Sequence, residues 1–285
     1  MVITALFLLV AFMAIVLVKH CLLWQPMDVS YLYQNGYLKF GHRGSSMLAP
    51  ENTLTSFLKA VEQGVNTIEV DVLLTKDGKV ICSHNYDLES ETDGYGYIDE
   101  KMYEELKEVD AGVKFPEYSP CRIPLLEEVF DIVPEDIIVD IEIKSKWAFD
   151  LRTAKYVAEI IRERNLYHRV LVSSFHPFVI GRIKWIDKRI PTAYLWEDQH
   201  VPNILKKPRF INLVHPDMLH PDVYFVDKNL IRFAQRKGLR IHPWTVNNQP
   251  AIEWLLKLGA DGIFSDFPGL MNRAVEKIGG SNETA

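Results

Sequence analysis

The chain has 285 residues, of which 48% are hydrophobic and 25% are charged, a globular composition that excludes a mainly disordered protein. Its 32 Lys and Arg against 38 Asp and Glu give a net charge of −6, which argues against a nucleic-acid-binding surface. A chain of this length is stable without disulfides, and Cys21, Cys82 and Cys121 form no CxxC pair. We therefore expect free thiols.

The amino-terminal residues predict a membrane anchor. Residues 2–18 carry no charge, and after a short polar break the apolar character reaches Trp24. A helix over residues 2–24 would be roughly 34 Å long, more than the hydrocarbon thickness of about 30 Å. Because no basic residue precedes the run and no small-residue cleavage site follows it, a single-pass transmembrane anchor over residues 1–24 is favoured over a signal peptide, which stays the alternative. Lys19 slightly favours a cytoplasmic catalytic domain.

After a linker over residues 25–36, residues 37–280 predict an α/β barrel, and residues 281–285 form a tail. Short β-branched runs alternate with segments of helical period, the pattern of parallel strands joined by helices. Eight such units in about 240 residues match a TIM (β/α)8 barrel better than a doubly wound sheet. The predicted strands cover residues 37–41, 67–73, 137–143, 170–174, 192–196, 210–214, 240–245 and 262–265.

The predicted helices lie between these strands. They cover residues 53–63, 125–132, 151–164, 178–186, 226–237, 250–258 and a segment after Pro268, with a weaker helix at residues 201–205. Residues 85–122 interrupt the alternation with several Gly and Pro, between the second strand and the second helix. Long insertions in barrels belong to the loops at the carboxyl ends of the strands, so we expect a lid or small subdomain over the site.

Two predicted strands carry charges where a barrel interior normally carries aliphatic side chains. The two-residue period places Glu69 and Asp71 on the inward face of the second strand, and Glu142 and Lys144 on that of the next. Buried carboxylates need a compensating cation. Glu69, Asp71 and Glu142 offer only oxygen ligands, which suit Mg²⁺ or Ca²⁺ rather than zinc. The alternative is a structural network in which Lys144 and Arg43 neutralise the acids.

Two histidines are candidates for the same end of the barrel. His42 and Arg43 stand between glycines at the end of the first strand, and His84 ends a short run that follows the second strand. Barrel active sites lie at this end. Two imidazoles can divide the roles of general acid and general base, and the Arg43 guanidinium suits phosphate oxygens. A single histidine is more often packed or exposed, but the neighbouring acids favour catalysis.

Three later segments are compatible with the same mouth. His215-Pro216 follows the predicted sixth strand, residues 244–247 end the seventh, and residues 259–266 carry the eighth. Trp244 is a candidate floor for glycerol-like carbons, although an aromatic residue at a strand end is equally often plain packing.

Taken together, these residues resemble the glycerophosphodiester phosphodiesterase family, a TIM-barrel group distantly similar to phosphatidylinositol-specific phospholipases C. The resemblance covers about residues 40–268, and it is the order of its short motifs that makes it specific. The family commonly has Asp after the second histidine and a basic residue soon after, whereas here Asn85 and the acidic residues 89–92 follow, which weakens phosphate binding by that loop. The motifs are His42-Arg43-Gly44, Pro50-Glu51-Asn52-Thr53, Glu69-Val70-Asp71, Thr75-Lys76-Asp77-Gly78, His84, Pro124-Leu125-Leu126-Glu127-Glu128-Val129, Glu142-Ile143-Lys144, Trp244-Thr245-Val246-Asn247 and residues 259–266.

The resemblance implies metal-dependent hydrolysis of glycerol-3-phosphodiesters to glycerol 3-phosphate and an alcohol. In the family scheme the glycerol 2-hydroxyl of the substrate attacks phosphorus, and water then opens the cyclic phosphate. The positions that match the family's functional residues are His42 and His84 as general acid and base, Glu69, Asp71 and Glu142 as metal ligands, and Arg43 and Lys144 as phosphate contacts.

Three functions remain open on the sequence. The anchored chain is a glycerophosphodiester phosphodiesterase, a lysophospholipase D acting on lysophospholipids near the bilayer, or a catalytically silent tethered binding module. The expected partners are the substrate and the lipid bilayer, with no nucleic acid and an open oligomeric state. A sugar-phosphate isomerase is disfavoured, because residues 244–247 and 261–266 lack the basic phosphate loop that such barrels use.

Overall fold

The structure is a computed structural model that describes residues 2–147, 150–197, 203 and 206–282. Eight parallel strands form one sheet in the order β8-β7-β6-β5-β4-β2-β1-β9, and the short β3 pairs antiparallel with β2. The strands are β1 (Leu38–Gly41), β2 (Thr67–Leu74), β3 (Val80–Cys82), β4 (Ile138–Ile143), β5 (Val170–Ser174), β6 (Thr192–Trp196), β7 (Met218–Pro221), β8 (Arg240–Ile241) and β9 (Gly262–Ser265).

The two ends of this strand order meet, so the sheet curls into the predicted barrel. Backbone bonds join the β8 segment to β9: Asp261 N donates to Ile241 O at 2.9 Å, and Phe264 N donates to Pro243 O at 3.1 Å. A further bond runs from Val246 N to Phe264 O at 2.8 Å. The carboxyl ends of all eight parallel strands therefore face one mouth.

Helices surround the barrel and bury one face of each strand. Ile68, Val70 and Val72 of β2 pack in the core between sheet and helices, as the strand period predicts, and so do Val139 and Ile141 of β4. The helices are α1 (Val2–Leu22), α2 (Leu54–Glu62), α3 (Tyr103–Leu106), α4 (Leu126–Ile132), α5 (Arg152–Glu163), α6 (Pro177–Ile186), α7 (Ile211–Val214), α8 (Lys228–Lys237), α9 (Gln249–Leu258) and α10 (Gly269–Asn282).

One predicted strand is wrong. Residues 210–214 contain helix α7 instead, in which Ile211 and Val214 are buried three residues apart while Leu213 is exposed. The strand that follows β6 is instead β7. Its inward-facing residue His220 is polar and interrupts the apolar pattern expected of a buried strand. As a consequence His215 precedes the amino end of β7 and does not reach the mouth, contrary to the prediction. The weak helix at residues 201–205 falls almost entirely outside the described residues.

Helix α1 begins the described chain. Its large apolar side chains from Leu6 to Leu22 are exposed. Its carboxyl end is held on the barrel, because Trp24 stacks on His215 with ring centroids 4.8 Å apart and Lys237 Nζ donates to Trp24 O at 2.6 Å. Across the part of the chain that the structure describes, no helix is long and apolar enough to cross a membrane. The predicted transmembrane helix is therefore not supported.

A chain of hydrogen-bonded side chains, here called the histidine chain, fills the interior below the mouth. His220 Nε2 lies 3.0 Å from His242 Nδ1, and His242 Nε2 lies 2.8 Å from the hydroxyl of Tyr33. Phe40 and Phe264 stack beside these rings with centroids 4.0 Å apart. Both imidazoles are fully buried.

The insertion over residues 85–122 packs its apolar side chains against the hairpin of β2 and β3. Leu88, Ile98, Tyr103 and Leu106 pack with Ile81 of β3. The insertion therefore lies beside β2 and β3, and its first residues, Asn85 and Tyr86, reach the mouth of the barrel.

Candidate active site

Glu69, Asp71 and Glu142, here called the acid cluster, come together inside the mouth as the sequence predicts. Strands β2 and β4 are parallel neighbours, and their register sets Asp71 directly opposite Glu142. One carboxylate oxygen from each residue lies within 4.8 Å of the other two, and all three side chains are buried. This donor set is hard, anionic and compact enough for one cation.

Two cationic side chains contact the acid cluster, as the structural-network alternative predicts. Lys144 Nζ lies 2.6 Å from Glu142 Oε1 and 3.0 Å from Asp71 Oδ1, and Arg43 Nε lies 3.5 Å from Asp71 Oδ2. Glu69 has no contact of this kind with a cationic side chain in the described part of the chain. Its Oε2 accepts a hydrogen bond from Arg43 N at 2.6 Å, while the buried Oε1 has no hydrogen-bond partner. The two cations thus compensate the acid cluster only in part.

The surroundings split the pKa values within the acid cluster. Burial, followed by the charges of Asp71 and Glu142, raises the pKa of Glu69 well above its usual value. Burial also raises the pKa of Glu142. Burial acts in the same sense on Asp71, but Lys144 and Arg43 outweigh it and lower its pKa. One carboxylate is thus firmly ionised, and the other two are destabilised as anions.

The loop after β1 is shaped to deliver Arg43 to the acids. Arg43 and Asn52 have φ values of 53° and 55°, a left-handed conformation that costs non-glycine residues about 1 kcal/mol or more. Two hydrogen bonds between Asn52 and Asp71 offset this conformational cost. Asn52 Nδ2 donates to Asp71 Oδ2 at 2.8 Å, and Asn52 Oδ1 accepts from Asp71 N at 2.9 Å. Glu51 holds the Arg43 guanidinium at 3.0 Å.

His42 and His84 both line the cavity beside the acid cluster. His42 Nδ1 donates to Asp266 Oδ1 at 2.6 Å, so Nε2 is the nitrogen that can exchange a proton with a ligand. His84 follows β3, whose pairing with β2 ties it to the strand that carries Glu69 and Asp71. Burial, with the nearby Lys144, lowers the pKa of His84 to about 4, so this imidazole is neutral at pH 7.

A cavity of about 1080 Å³ opens from these groups to solvent. Arg43, Lys144 and Trp244 line it with the two histidines, so every predicted site residue either lines the cavity or, like Asp71, lies buried at its base. Trp244 is fixed in the wall by a hydrogen bond from its Nε1 to His220 O at 2.8 Å.

Comparison with known proteins identifies the family. The family model for the glycerophosphoryl diester phosphodiesterase family matches residues 42–270, which include the acid cluster and both histidines. The chain belongs to this family. This phosphodiesterase is therefore a phosphoric diester hydrolase. The names of its relatives belong to the same enzyme class.

A glycerophosphodiester phosphodiesterase of Caldanaerobacter subterraneus subsp. tengcongensis is 34% identical over 245 residues, 85% of this chain and 99% of the relative. Another from Bacillus altitudinis is 35% identical over 241 residues, 83% of this chain and 96% of the relative. Among solved structures, a phosphodiesterase of Oleispira antarctica in complex with the product sn-glycerol-3-phosphate superposes with a TM-score of 0.75 at 28% identity, covering 86% of this chain and 99% of that one.

The sequence analysis placed residues 244–247 and 259–266 at the mouth of this phosphodiesterase but gave no role to Asp266, Asn247 or Ser46. Asp266 accepts hydrogen bonds from His42, Ser46 and Asn247. Burial acts to raise the pKa of Asp266, but these hydrogen bonds outweigh it and hold the pKa at about 2. The position of Asp266 in the sequence could have indicated this contact, because Asp266 directly follows β9, the neighbour of β1 in the closed barrel.

Proposed function

We propose that this phosphodiesterase hydrolyses glycerol-3-phosphodiesters to glycerol 3-phosphate and an alcohol, using His42 and His84 as acid and base and a divalent cation at the acid cluster. The observation that carries the proposal is the meeting of both imidazoles with the three carboxylates in one cavity, beside Arg43 and Lys144. The relatives named above support the same reaction class.

The donor set fits a hard cation such as Mg²⁺ or Ca²⁺. The three carboxylates are close enough to share one ion, and the unpartnered Glu69 Oε1 is a buried oxygen that lacks a donor. A bound cation supplies charge stabilisation to the phosphoryl oxygens in the transition state. The chain's own Arg43 and Lys144 add positive charge at the same place, which orients the diester and offsets its negative charge.

The two histidines are suited to opposite roles in the first step of the reaction, one as base and one as acid. Neutral His84 accepts the proton of the glycerol 2-hydroxyl as its oxygen attacks phosphorus, while His42, supported by the Asp266 carboxylate, donates a proton to the leaving alcohol oxygen. The resulting cyclic phosphate is opened by water with the roles exchanged. His42 takes the proton of the water, and His84 returns its proton to the 2-oxygen. The net change is the addition of one water and the cleavage of one P–O bond.

A substrate panel tests this function. Glycerophosphocholine, glycerophosphoethanolamine and glycerophosphoinositol are incubated with EDTA-treated enzyme to which Mg²⁺, Ca²⁺ or Mn²⁺ is returned, and glycerol 3-phosphate is measured. We expect metal-restored activity that His42→Ala lowers by about 10³-fold, with exposed His168→Ala as the matched control. Activity that survives both EDTA and His42→Ala contradicts the mechanism, and inactivity with every metal favours the silent binding module.

We also propose that α1 attaches the enzyme to a membrane, with the catalytic domain on the cytoplasmic side as Lys19 favours. The support is the exposed apolar surface of α1, which has no counterpart of similar size on an ordinary soluble surface. Attachment would hold the cavity at a high effective concentration of lipid-derived substrate. Deletion of residues 2–22 should move the protein from the membrane fraction to the supernatant, and recovery of the full chain in the supernatant of low-salt lysates would refute attachment.

A further inference from the structure

Helix α8 carries basic charges and no acidic ones. Its residues 228–237 contain four Lys or Arg and no Asp or Glu, in a chain whose net charge is −6. Lys228, Arg232 and Arg236 follow one another at intervals of four residues, and all three are exposed. Because residues at this spacing lie on one face of a helix, the three cations form a single row, here called the basic stripe.

The basic stripe faces away from the barrel and has no acidic partner. Ile231 and Ala234, on the other side of α8, are buried in the core. Across the described residues, none of the three cations of the stripe forms an ion pair. Asp227, the acid next to the stripe in the sequence, caps α8 by accepting hydrogen bonds from Asn229 N at 2.9 Å and Leu230 N at 2.7 Å. Like charges at this spacing weaken a helix slightly, so the arrangement favours an anionic partner outside the protein.

Helix α5 has the ordinary arrangement of surface charges. It also carries three basic residues, but two Glu lie among them. Lys155 Nζ lies 3.8 Å from Glu159 Oε1, and Arg152 pairs with Asp150 at 2.8 Å. The charges of α5 are therefore largely balanced by close neighbours, whereas those of the basic stripe are not.

The basic stripe ends beside the apolar helix α1. Lys237, the residue after Arg236, donates from Nζ to Trp24 O at 2.6 Å and to Leu22 O at 3.3 Å. Its ammonium lies 4.2 Å from the centre of the Trp24 ring. A membrane that takes up the exposed apolar surface of α1 therefore comes close to α8. The cytoplasmic leaflet presents anionic headgroups, whose charge is complementary to that of the stripe.

We propose that the basic stripe binds the anionic phospholipid headgroups of the membrane to which α1 attaches. The inference rests on the proposed attachment of α1 and is independent of the reaction at the acid cluster. Two points of contact, α1 and the stripe, then set the orientation of the barrel on the membrane. Because the stripe faces away from the barrel and does not line the cavity described above, headgroups bound to it leave the mouth open.

Vesicle binding with the full chain tests the stripe. The protein is mixed in low-salt buffer with sucrose-loaded vesicles of phosphatidylcholine, or of an equimolar mixture of phosphatidylcholine and phosphatidylglycerol, and sedimentation gives Kd for each. A basic residue at an anionic surface contributes about fivefold in affinity, so three should give a preference of about 100-fold for the anionic vesicles. High salt should remove this preference and leave the binding to neutral vesicles through α1.

A triple variant localises the effect. Lys228→Gln, Arg232→Gln and Arg236→Gln together should remove the preference and leave Kd for phosphatidylcholine unchanged. Gln is a good helix former, and relief of the like-charge repulsion should leave Tm unchanged or slightly higher. The variant should also release glycerol 3-phosphate from glycerophosphocholine at the wild-type rate.

A second triple variant is the matched control. Arg152→Gln, Lys155→Gln and Arg162→Gln on α5 remove the same number of exposed positive charges from a helix that α6 and α7 separate from α8 along the chain. This variant should keep the preference for anionic vesicles. An equal loss of preference in both triple variants would show that only the total charge matters, which overturns the basic stripe.

The remaining outcomes separate the levels of the proposal. Equal Kd values of the wild type for neutral and anionic vesicles overturn the stripe and leave the attachment of α1 standing. Binding to neither kind of vesicle overturns both, while hydrolysis of glycerophosphocholine by the same samples shows whether the proposed catalytic function stands. Binding of a DNA duplex that only the α8 variant abolishes, with vesicle binding unchanged, assigns the stripe to nucleic acid and overturns the assignment to lipid.

Discussion

The acid cluster and the histidine chain occupy the interior of the same barrel, and they differ in charge and in their access to the cavity. In the histidine chain each ring nitrogen that points along the chain has a side-chain partner, at 3.0 Å and 2.8 Å. In the acid cluster Glu69 Oε1 has none and its residue lines the cavity. Burial lowers the pKa of His242 to about 3, so the histidine chain is uncharged, whereas Asp71 stays ionised. His220 Nδ1 also lacks a hydrogen-bond partner and lies 3.5 Å from Asp140 Oδ2, but its residue is fully buried and does not line the cavity. The two regions therefore differ in charge and in access, and the open oxygen of Glu69 is the one that a ligand entering the cavity can reach.

The largest effect is expected from Glu69→Gln. The amide keeps the hydrogen bond from Arg43 N but removes a proposed ligand charge, so kcat/KM should fall by about 10³-fold or more. The same variant should be at least as stable as the wild type in EDTA, because it removes a buried, poorly compensated charge. Kinetics and denaturant unfolding check both statements.

Glu253→Gln is the control for Glu69→Gln, since Glu253 is a buried glutamate on α9 that pairs with Lys277 away from the cavity. It should retain activity. A Glu69→Gln enzyme that is unstable in EDTA yet fully active would show that the acid cluster is a structural network.

His220→Ala should show the reverse pattern. It opens a cavity in the core and removes the partner of His242, so unfolding free energy should drop by about 3 kcal/mol. Folded enzyme should keep kcat/KM within a few-fold, because His220 touches neither histidine of the proposed site. Urea titrations and initial rates decide this, and a loss of activity without a loss of stability would contradict the distinction between the two regions.

Asp266→Asn tests the support of His42. The amide preserves the shape but no longer stabilises a protonated imidazole, so kcat should fall about 10- to 100-fold with little change in KM. Asp227→Asn is the matched control, because Asp227 caps α8 and Asn is an equally good cap. Unchanged kcat in Asp266→Asn would assign Asp266 a purely structural role.

The last effect concerns pH, and it is small at neutral pH and grows only as the solution is acidified. The pKa of His242 is about 3 in the folded protein and about 6.5 when unfolded, so the unfolded state binds more protons between these values. Stability conferred by this group is therefore complete above pH 6.5 and declines as the pH falls, by at most about 1.4 kcal/mol per pH unit. Unfolding measured from pH 7 to pH 4 should have a shallower slope in His242→Gln. An equal slope in both proteins would argue against a neutral buried His242.

The contrast between the acid cluster and the histidine chain also explains which parts of the interior the sequence could predict. Glu69, Asp71 and Glu142 lie on regular strands whose two-residue period fixes the side-chain direction, so the acid cluster was predictable before its geometry was known. His220 lies in the four-residue β7, where it interrupts the apolar pattern, and the prediction therefore took residues 210–214 as the strand. Asp266 was placed at the mouth but given no role, because its contact with His42 depends on closure between β9 and β1, a pairing of residues more than 200 positions apart.

His84 is carried by β3, which is hydrogen-bonded to β2 and not part of the parallel ring. The proposed proton-transfer group and two of the proposed cation ligands therefore lie on one hairpin, and they shift together when that hairpin shifts. The chain leaves this hairpin at residue 85 and returns near residue 122, and the apolar side chains between pack against Leu73 and Ile81 of the hairpin. The excursion therefore braces the hairpin from outside the parallel ring, so its packing holds the imidazole and the two β2 carboxylates as one unit.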